Sequence, residues 1–264
     1  MLWQNSTKGP EGRPLMNAGD LLRQGGKKPP NLPPDALLLY QKSALDSSGL
    51  SLRPVRDHNL PGKLFTTRGK RKAVAILANP GAGAPAAAIA LELLASCGVR
   101  RLVSIGMAGS LKSELHPGAL VLCEQAIREE GTSYHYLPPD EMAQPSATLN
   151  AALIEALKSS GASFQCGVSW SCDAPLRETF ERAAQHVANG ALVVEMEAAG
   201  LFAAGQHRGL QVAALFAVAD GMGGDGENNR WRMNFDPQKV RGGLVIALLA
   251  AVQAFQTPGQ GADP

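Results

Sequence analysis

Short apolar runs alternate along this chain with longer stretches of helical spacing, and that alternation fixes the first picture. Residues 73–78 form an unbroken apolar run, as a strand buried on both faces requires, and Asn79-Pro80-Gly81-Ala82-Gly83-Ala84-Pro85 stops it. Residues 86–97 then carry Ile89, Leu91, Leu93 and Leu94 among alanines and end at Gly98, which reads as a helix with its terminator. Residues 101–105 are the next strand, with Gly106-Met107-Ala108-Gly109-Ser110 as its closing turn. Strand, glycine turn, helix and strand make one crossover unit.

The same rhythm continues downstream. Residues 118–127 predict a strand and 146–159 a helix through Leu149, Leu153 and Leu157. Between them, 128–139 is a polar loop carrying aromatics, a candidate pocket wall. Residues 163–170 return as a strand, 171–178 lead out of it, and 177–187 predict a helix. After the run that begins at Leu192, a helix follows over 197–208 with Gly209 at its end. Residues 210–219 are the last core strand, which Asp220-Gly221-Met222-Gly223-Gly224-Asp225-Gly226 terminates, and 237–255 close the chain as a helix with Val240, Leu244, Val245, Leu248, Leu249 and Val252 on one face. Upstream, 37–40 is a short strand or a helix start, and 63–67 an edge strand. The alternation predicts one α/β domain over 35–264, a three-layer α/β/α sandwich around a mixed, largely parallel central sheet. Residues 1–34, broken by Gly25-Gly26-Lys27-Lys28-Pro29-Pro30 and Leu32-Pro33-Pro34, read as a flexible N-terminal tail.

Charge and composition narrow the partners. A net charge of +2 with no basic stripe argues against nucleic acid. No apolar run reaches the roughly 18 residues that span a bilayer, and the N-terminus lacks the apolar centre of a secretory signal, so the expected place is the cytoplasm. Four cysteines, Cys97, Cys123, Cys166 and Cys172, lack the spacing of a zinc site and read as reduced core thiols; no metal or other cofactor is implied.

Candidate chemistry gathers where Leu192-Val193-Val194 passes into Glu195-Met196-Glu197-Ala198-Ala199. Two acids at a strand-to-helix joint complement the helix dipole. Alternatively, at the carboxyl end of a sheet strand they hold the vicinal hydroxyls of a sugar. Gly81-Ala82-Gly83 precedes a helix amino terminus, where backbone amides attract anions, or serves only as a tight turn. Asp220, ending the final strand, is a solvated turn residue or a general acid.

The succession Gly81-Ala82-Gly83-Ala84-Pro85, Ile105-Gly106-Met107-Ala108-Gly109, Glu130-Gly131-Thr132-Ser133-Tyr134-His135-Tyr136-Leu137-Pro138 and Val194-Glu195-Met196-Glu197-Ala198-Ala199 resembles the nucleoside phosphorylase-I superfamily, nearest the uridine phosphorylase branch, over about residues 73–255. The resemblance implies an N-glycosidic cleavage of a ribonucleoside with phosphate, giving base and ribose 1-phosphate, by a homo-oligomer of dimers or trimers of dimers. It places Glu195, Met196 and Glu197 on the ribose and gives Glu197 and Asp220 the catalytic roles. Asp173, Arg177 and Asp220 would meet the base, with Asp220 tilting it toward purine. Gly83, Ser104, Gly106 and Met107 would form the phosphate or water site. Here the chain departs from the pattern: the Gly-Asp-Pro-x-x-Arg segment is missing, Ser104 stands where a second Arg is usual, and Met107 replaces a Thr. Lost charge-assisted contacts to phosphate are worth roughly 1.5–3 kcal/mol each. Either Arg53, Arg56 or Arg68 reaches the site, from this subunit or a neighbour, or water replaces phosphate, as in the superfamily's nucleosidases. A catalytically silent nucleoside-binding protein is the third reading.

Overall fold

The computed structural model describes residues 14–223, 230–233 and 235–256. Its strands are β1 (Asp35–Leu39), β2 (Leu52–Val55), β3 (Lys63–Thr67), β4 (Ala75–Ala78), β5 (Arg101–Ser110), β6 (Leu120–Glu129), β7 (Phe164–Cys172), β8 (Ala191–Glu195), β9 (Gln211–Gly223) and β10 (Arg230–Arg232). Its helices are α1 (Ala18–Arg23), α2 (Lys42–Asp46), α3 (Ala84–Ser96), α4 (Ala147–Ser159), α5 (Phe180–Ala188), α6 (Ala198–Arg208) and α7 (Pro237–Ala254).

The strands form one mixed sheet in the order β10-β9-β6-β7-β8-β5-β1-β4-β3-β2. It is parallel through β5-β1-β4 and β6-β7-β8 and antiparallel at both edges. An additional parallel pairing of β5 with β9 closes β9, β6, β7, β8 and β5 into a ring, so half the sheet is a small barrel and the rest an open wing.

Strand periodicity sorts the core into layers. Leu38, Leu77, Leu102 and Phe216 face α3 and α6, where Leu91, Leu94, Leu201 and Phe202 are buried. Their neighbours Leu37, Leu39, Ile76, Val103 and Leu215 face α4 and α7, where Leu153, Leu157, Leu244 and Leu248 are buried. Period two in the strands and 3.6 in the helices therefore produce the three layers expected. Val245 is only partly buried and Leu249 is exposed, so the α7 face centres on Val240, Leu244, Leu248 and Val252.

Three readings need correcting. Gly106-Met107-Ala108-Gly109-Ser110 does not close β5 but lies within it, and Asp220 lies within β9 rather than ending it. Both strands run past their apolar segments because they pair with each other to the barrel rim, and small residues permit the close approach there. The segment read as a tail is packed where it is described: Ala18–Arg23 are helical, and Leu22 and Leu32 are buried in the core. Residues 1–13 of it, and 224–226 of the expected turn after β9, lie outside the described residues.

Candidate active site

The joint between β8 and α6 divides its two acids between the two functions considered for them. Glu195, 4% exposed, turns inward. Its Oε2 accepts from the amides of Glu197 and Ala198, both at 2.7 Å, and so caps α6. Its Oε1 accepts from the hydroxyls of Ser169, at 3.1 Å, and Ser171, and Ser171 Oγ accepts in turn from the amide of Ala199. Burial, and then the charge of Glu197, pushes the Glu195 carboxyl up to about 7. Saturated with donors, Glu195 orders the joint.

Glu197 turns the other way. Its Oε1 accepts the Gly83 amide at 2.6 Å, tying α6 to the turn before α3. Gly83 has φ +85°, a conformation in which a side chain is strained, and a Cβ there would lie 3.9 Å from the end of Met196. Burial raises the Glu197 carboxyl as well. Tyr40, just past β1, sits beside these acids; burial and then the Glu197 charge hold its phenol well above the usual tyrosine value, so it stays a neutral donor. Its ring covers Gly106, where a Cβ would meet it at 3.1 Å, and Ser104 Oγ donates to its hydroxyl at 3.5 Å.

On the barrel side, the β5–β9 register slips between Ala108 and Gly109, so that Gly109 pairs with Asp220. The extra residue, Ala219, is a bulge, and bulges re-aim the side chains that follow. Burial raises the Asp220 carboxyl, opposed by a hydrogen bond from the Trp231 indole. The Trp231 ring lies against Gly109, where a Cβ would come within 2.5 Å of it. A cavity of about 740 Å³ opens over these groups, lined by Tyr40, Met107, Gly109, Glu178, Glu195, Met196, Glu197, Asp220 and Trp231, with apolar side chains between them. Mostly apolar and set with carboxylates from the β8–α6 joint and from β9, it has the make-up of a small-molecule site.

Known proteins agree with this architecture. The family model described as the phosphorylase superfamily matches residues 42–249. The chain belongs to that superfamily. Among the superfamily's curated members, guanosine phosphorylase of Halorubrum lacusprofundi is 32% identical over 142 residues, covering 54% of this chain and 59% of the relative. Uridine phosphorylase of Escherichia coli is 30% identical over 157 residues, 54% of this chain and 62% of the relative. The chain thus spans about six-tenths of the length of these relatives. In fold it is similar to uridine phosphorylase from Vibrio fischeri, with a TM-score of 0.74 at 22% identity over 88% of this chain and 98% of that one. Purine nucleoside phosphorylase from Toxoplasma gondii, in complex with immucillin-H, gives 0.72 at 20% identity over 86% and 92%.

In this superfamily member the residues singled out from sequence fall into two groups. Glu195, Met196, Glu197, Met107 and Asp220 line the one cavity. The others do not form the expected subsites. Gly83 has already given its amide to Glu197, Ser104 is 1% exposed behind Tyr40, and Gly106 is covered by the Tyr40 ring, so with Met107 they make no open anion cradle. Asp173 and Arg177 are exposed and outside the cavity lining; Asp173 instead accepts the Gly131 amide at 2.9 Å. The same segment supplies Pro175, Leu176 and Glu178 to the wall instead. Arg53, Arg56 and Arg68 are exposed and away from the cavity, and no Lys, Arg or His stands among its described lining residues. Tyr40 and Trp231 had no sequence signal beyond a polar tip at the end of an apolar run and an aromatic among polar residues.

Proposed function

We propose that this chain cleaves the N-glycosidic bond of a ribonucleoside, transferring the ribose to phosphate and releasing the base. Membership of the phosphorylase superfamily supports this, as do relatives named for guanosine and uridine. The observation that carries it is the meeting of Glu197 and Met196, from the β8–α6 joint, with Asp220, from β9, in one cavity. Cleavage passes through a cationic, oxocarbenium-like sugar, which carboxylates stabilise, while a proton donor relieves charge on the departing base. Glu197 is assigned to the ribose hydroxyls, Met196 to the sugar face and Asp220 to the base, which favours a purine. A homo-oligomer belongs to the same reading; the exposed apolar side chains of Leu176, Phe180, Met233 and Phe235 at the cavity rim support it. A cytoplasmic place is supported by four free thiols. No helix among the described residues is long and apolar enough to cross a membrane.

A second reading, with water as nucleophile, is favoured by one observation: the described cavity wall offers a phosphate dianion carboxylates and no cation, and Tyr40 fills the space over Gly106. Purine and pyrimidine nucleosides are incubated with and without phosphate and the sugar product is identified. Phosphate-dependent ribose 1-phosphate supports the first reading, and free ribose at a phosphate-independent rate supports the second. Tight nucleoside binding with no cleavage over a broad panel overturns both in favour of a silent binder.

A further inference from the structure

The cavity contains a second pair of carboxylates that the ribose grip does not use. Glu178 follows the single 3-10 turn Pro175–Arg177 and Asp220 comes from β9; both line the cavity, near enough for the charge of one to act on the other. Their partners differ. Asp220 accepts the indole N–H of Trp231, itself fixed against Gly109, a bond that favours the charged form and opposes the rise that burial causes. Glu178 receives neither a hydrogen bond nor an ion pair from any described residue. A half-buried carboxylate without a donor, beside a second carboxylate that has one, takes the proton the pair shares. Accordingly Glu178 is pushed up to about 7, by burial first and by Asp220 second. The other described group that senses it is Cys172, at the end of β7, whose thiol burial keeps neutral; Asp173, bonded to the Gly131 amide, and Arg177 are exposed residues of its own segment outside the cavity lining.

We propose that Glu178 is the acid that protonates the departing base, with Asp220 as its anionic partner. This rests on the glycosidic-cleavage reading and reassigns the acid from Asp220. As the bond from C1′ to the base nitrogen breaks, its electron pair passes to the base and the Glu178 proton is delivered there. An oxygen of phosphate, or of water, bonds to C1′; with water the surplus proton leaves to solvent. Two adjacent carboxylates then repel, so Glu178 recovers a proton from solvent through its exposed half.

The test is kcat/KM against pH from 5 to 9 on a neutral nucleoside. Wild type shows an alkaline limb near pH 7. Glu178→Gln loses roughly 10²- to 10⁴-fold, the usual worth of a general acid, and the limb disappears. Asp220→Asn, which removes the neighbouring anion, moves the limb to lower pH. On p-nitrophenyl β-riboside, whose leaving group needs no proton, the Glu178→Gln deficit shrinks at least tenfold. Should Glu178→Gln not fold, the shift in Asp220→Asn still decides. A limb retained in Glu178→Gln, an equal deficit on both substrates, or an unmoved limb in Asp220→Asn overturns the assignment while leaving cleavage intact. A wild type that cleaves no riboside at any pH overturns the underlying reading and this assignment with it.

Discussion

Single side chains at this site act through what they leave free for a ligand. Glu197 gives one oxygen to Gly83 and lines the cavity, so its neutral replacement keeps the shape and loses the charge. Glu197→Gln is expected to lower kcat/KM on ribonucleosides roughly 10- to 150-fold, the equivalent of one charge-assisted hydrogen bond, with a smaller loss on 2′,3′-dideoxynucleosides. Equal losses on both substrates would remove Glu197 from the hydroxyls. Gly109 is the converse case, needed because it is absent as a side chain. In Gly109→Ala the new methyl meets the Trp231 ring at 2.5 Å, the indole is displaced, and its bond to Asp220 goes with it. A red shift in tryptophan emission, together with a rise in the Asp220 pKa followed by carboxyl NMR, is the expected result. These residues also mark how far the sequence could be read. Glu197 and Asp220 were legible because acids beside apolar runs need an explanation. Tyr40 was not, because a tyrosine closing Leu37-Leu38-Leu39 continues the apolar pattern and its hydroxyl meets Ser104 only after β1 and β5 pair. Trp231 reaches Gly109 through an antiparallel return that no local periodicity encodes.

Among elements, the strongest dependence is that of α6 on a residue outside it. The helix opens without a side-chain cap from its own N-cap residue, Glu197, and Glu195 supplies the acceptors instead. Glu195→Ala leaves two amides and two hydroxyls without an acceptor, at a cost of about 3 kcal/mol or more. Glu195→Gln, which keeps one carbonyl oxygen, costs less. Urea unfolding curves of the two variants, with equal slopes, check the ranking. Elements defined by burial were legible in sequence: β1, β4, α3 and α7 lie where apolar runs or helical stripes stood. Strand β2 was not, since Leu52–Val55 is an exposed edge containing Pro54, acceptable there only because an edge strand leaves some amides unpaired. The glycine clusters of β5 and β9 read as stops because glycine usually ends strands, whereas in this chain it lets two strands bend to a barrel rim.

The whole molecule carries its buried acids at a cost that depends on pH. Glu178 and Glu195 are both pushed up to about 7, from an ordinary carboxylate range near 4.5. Between those values the folded chain binds more protons than the unfolded one, so stability falls as pH rises through that window. Thermal unfolding is expected to show a higher Tm at pH 5 than at pH 8, with a flatter dependence in Glu178→Gln; at this size each kcal/mol corresponds to about 2–4 °C. A Tm that rises across the same interval would count against both groups being neutral when buried.

The barrel also has a weak seam. β5 holds β9 along its whole length, but it meets β8 only through Gly109 with Val194 and Ser110 with Val193, followed by the bond from the Leu111 amide to the Leu192 carbonyl at 2.9 Å. That short joint forms part of the cavity wall, so it is the stave most free to part when nothing occupies the hollow. A bound nucleoside, touching both sides, would act as a rivet. The amide of Leu111 should therefore exchange with deuterium faster than those of the β5–β9 ladder in the free chain, and slow selectively when ligand binds.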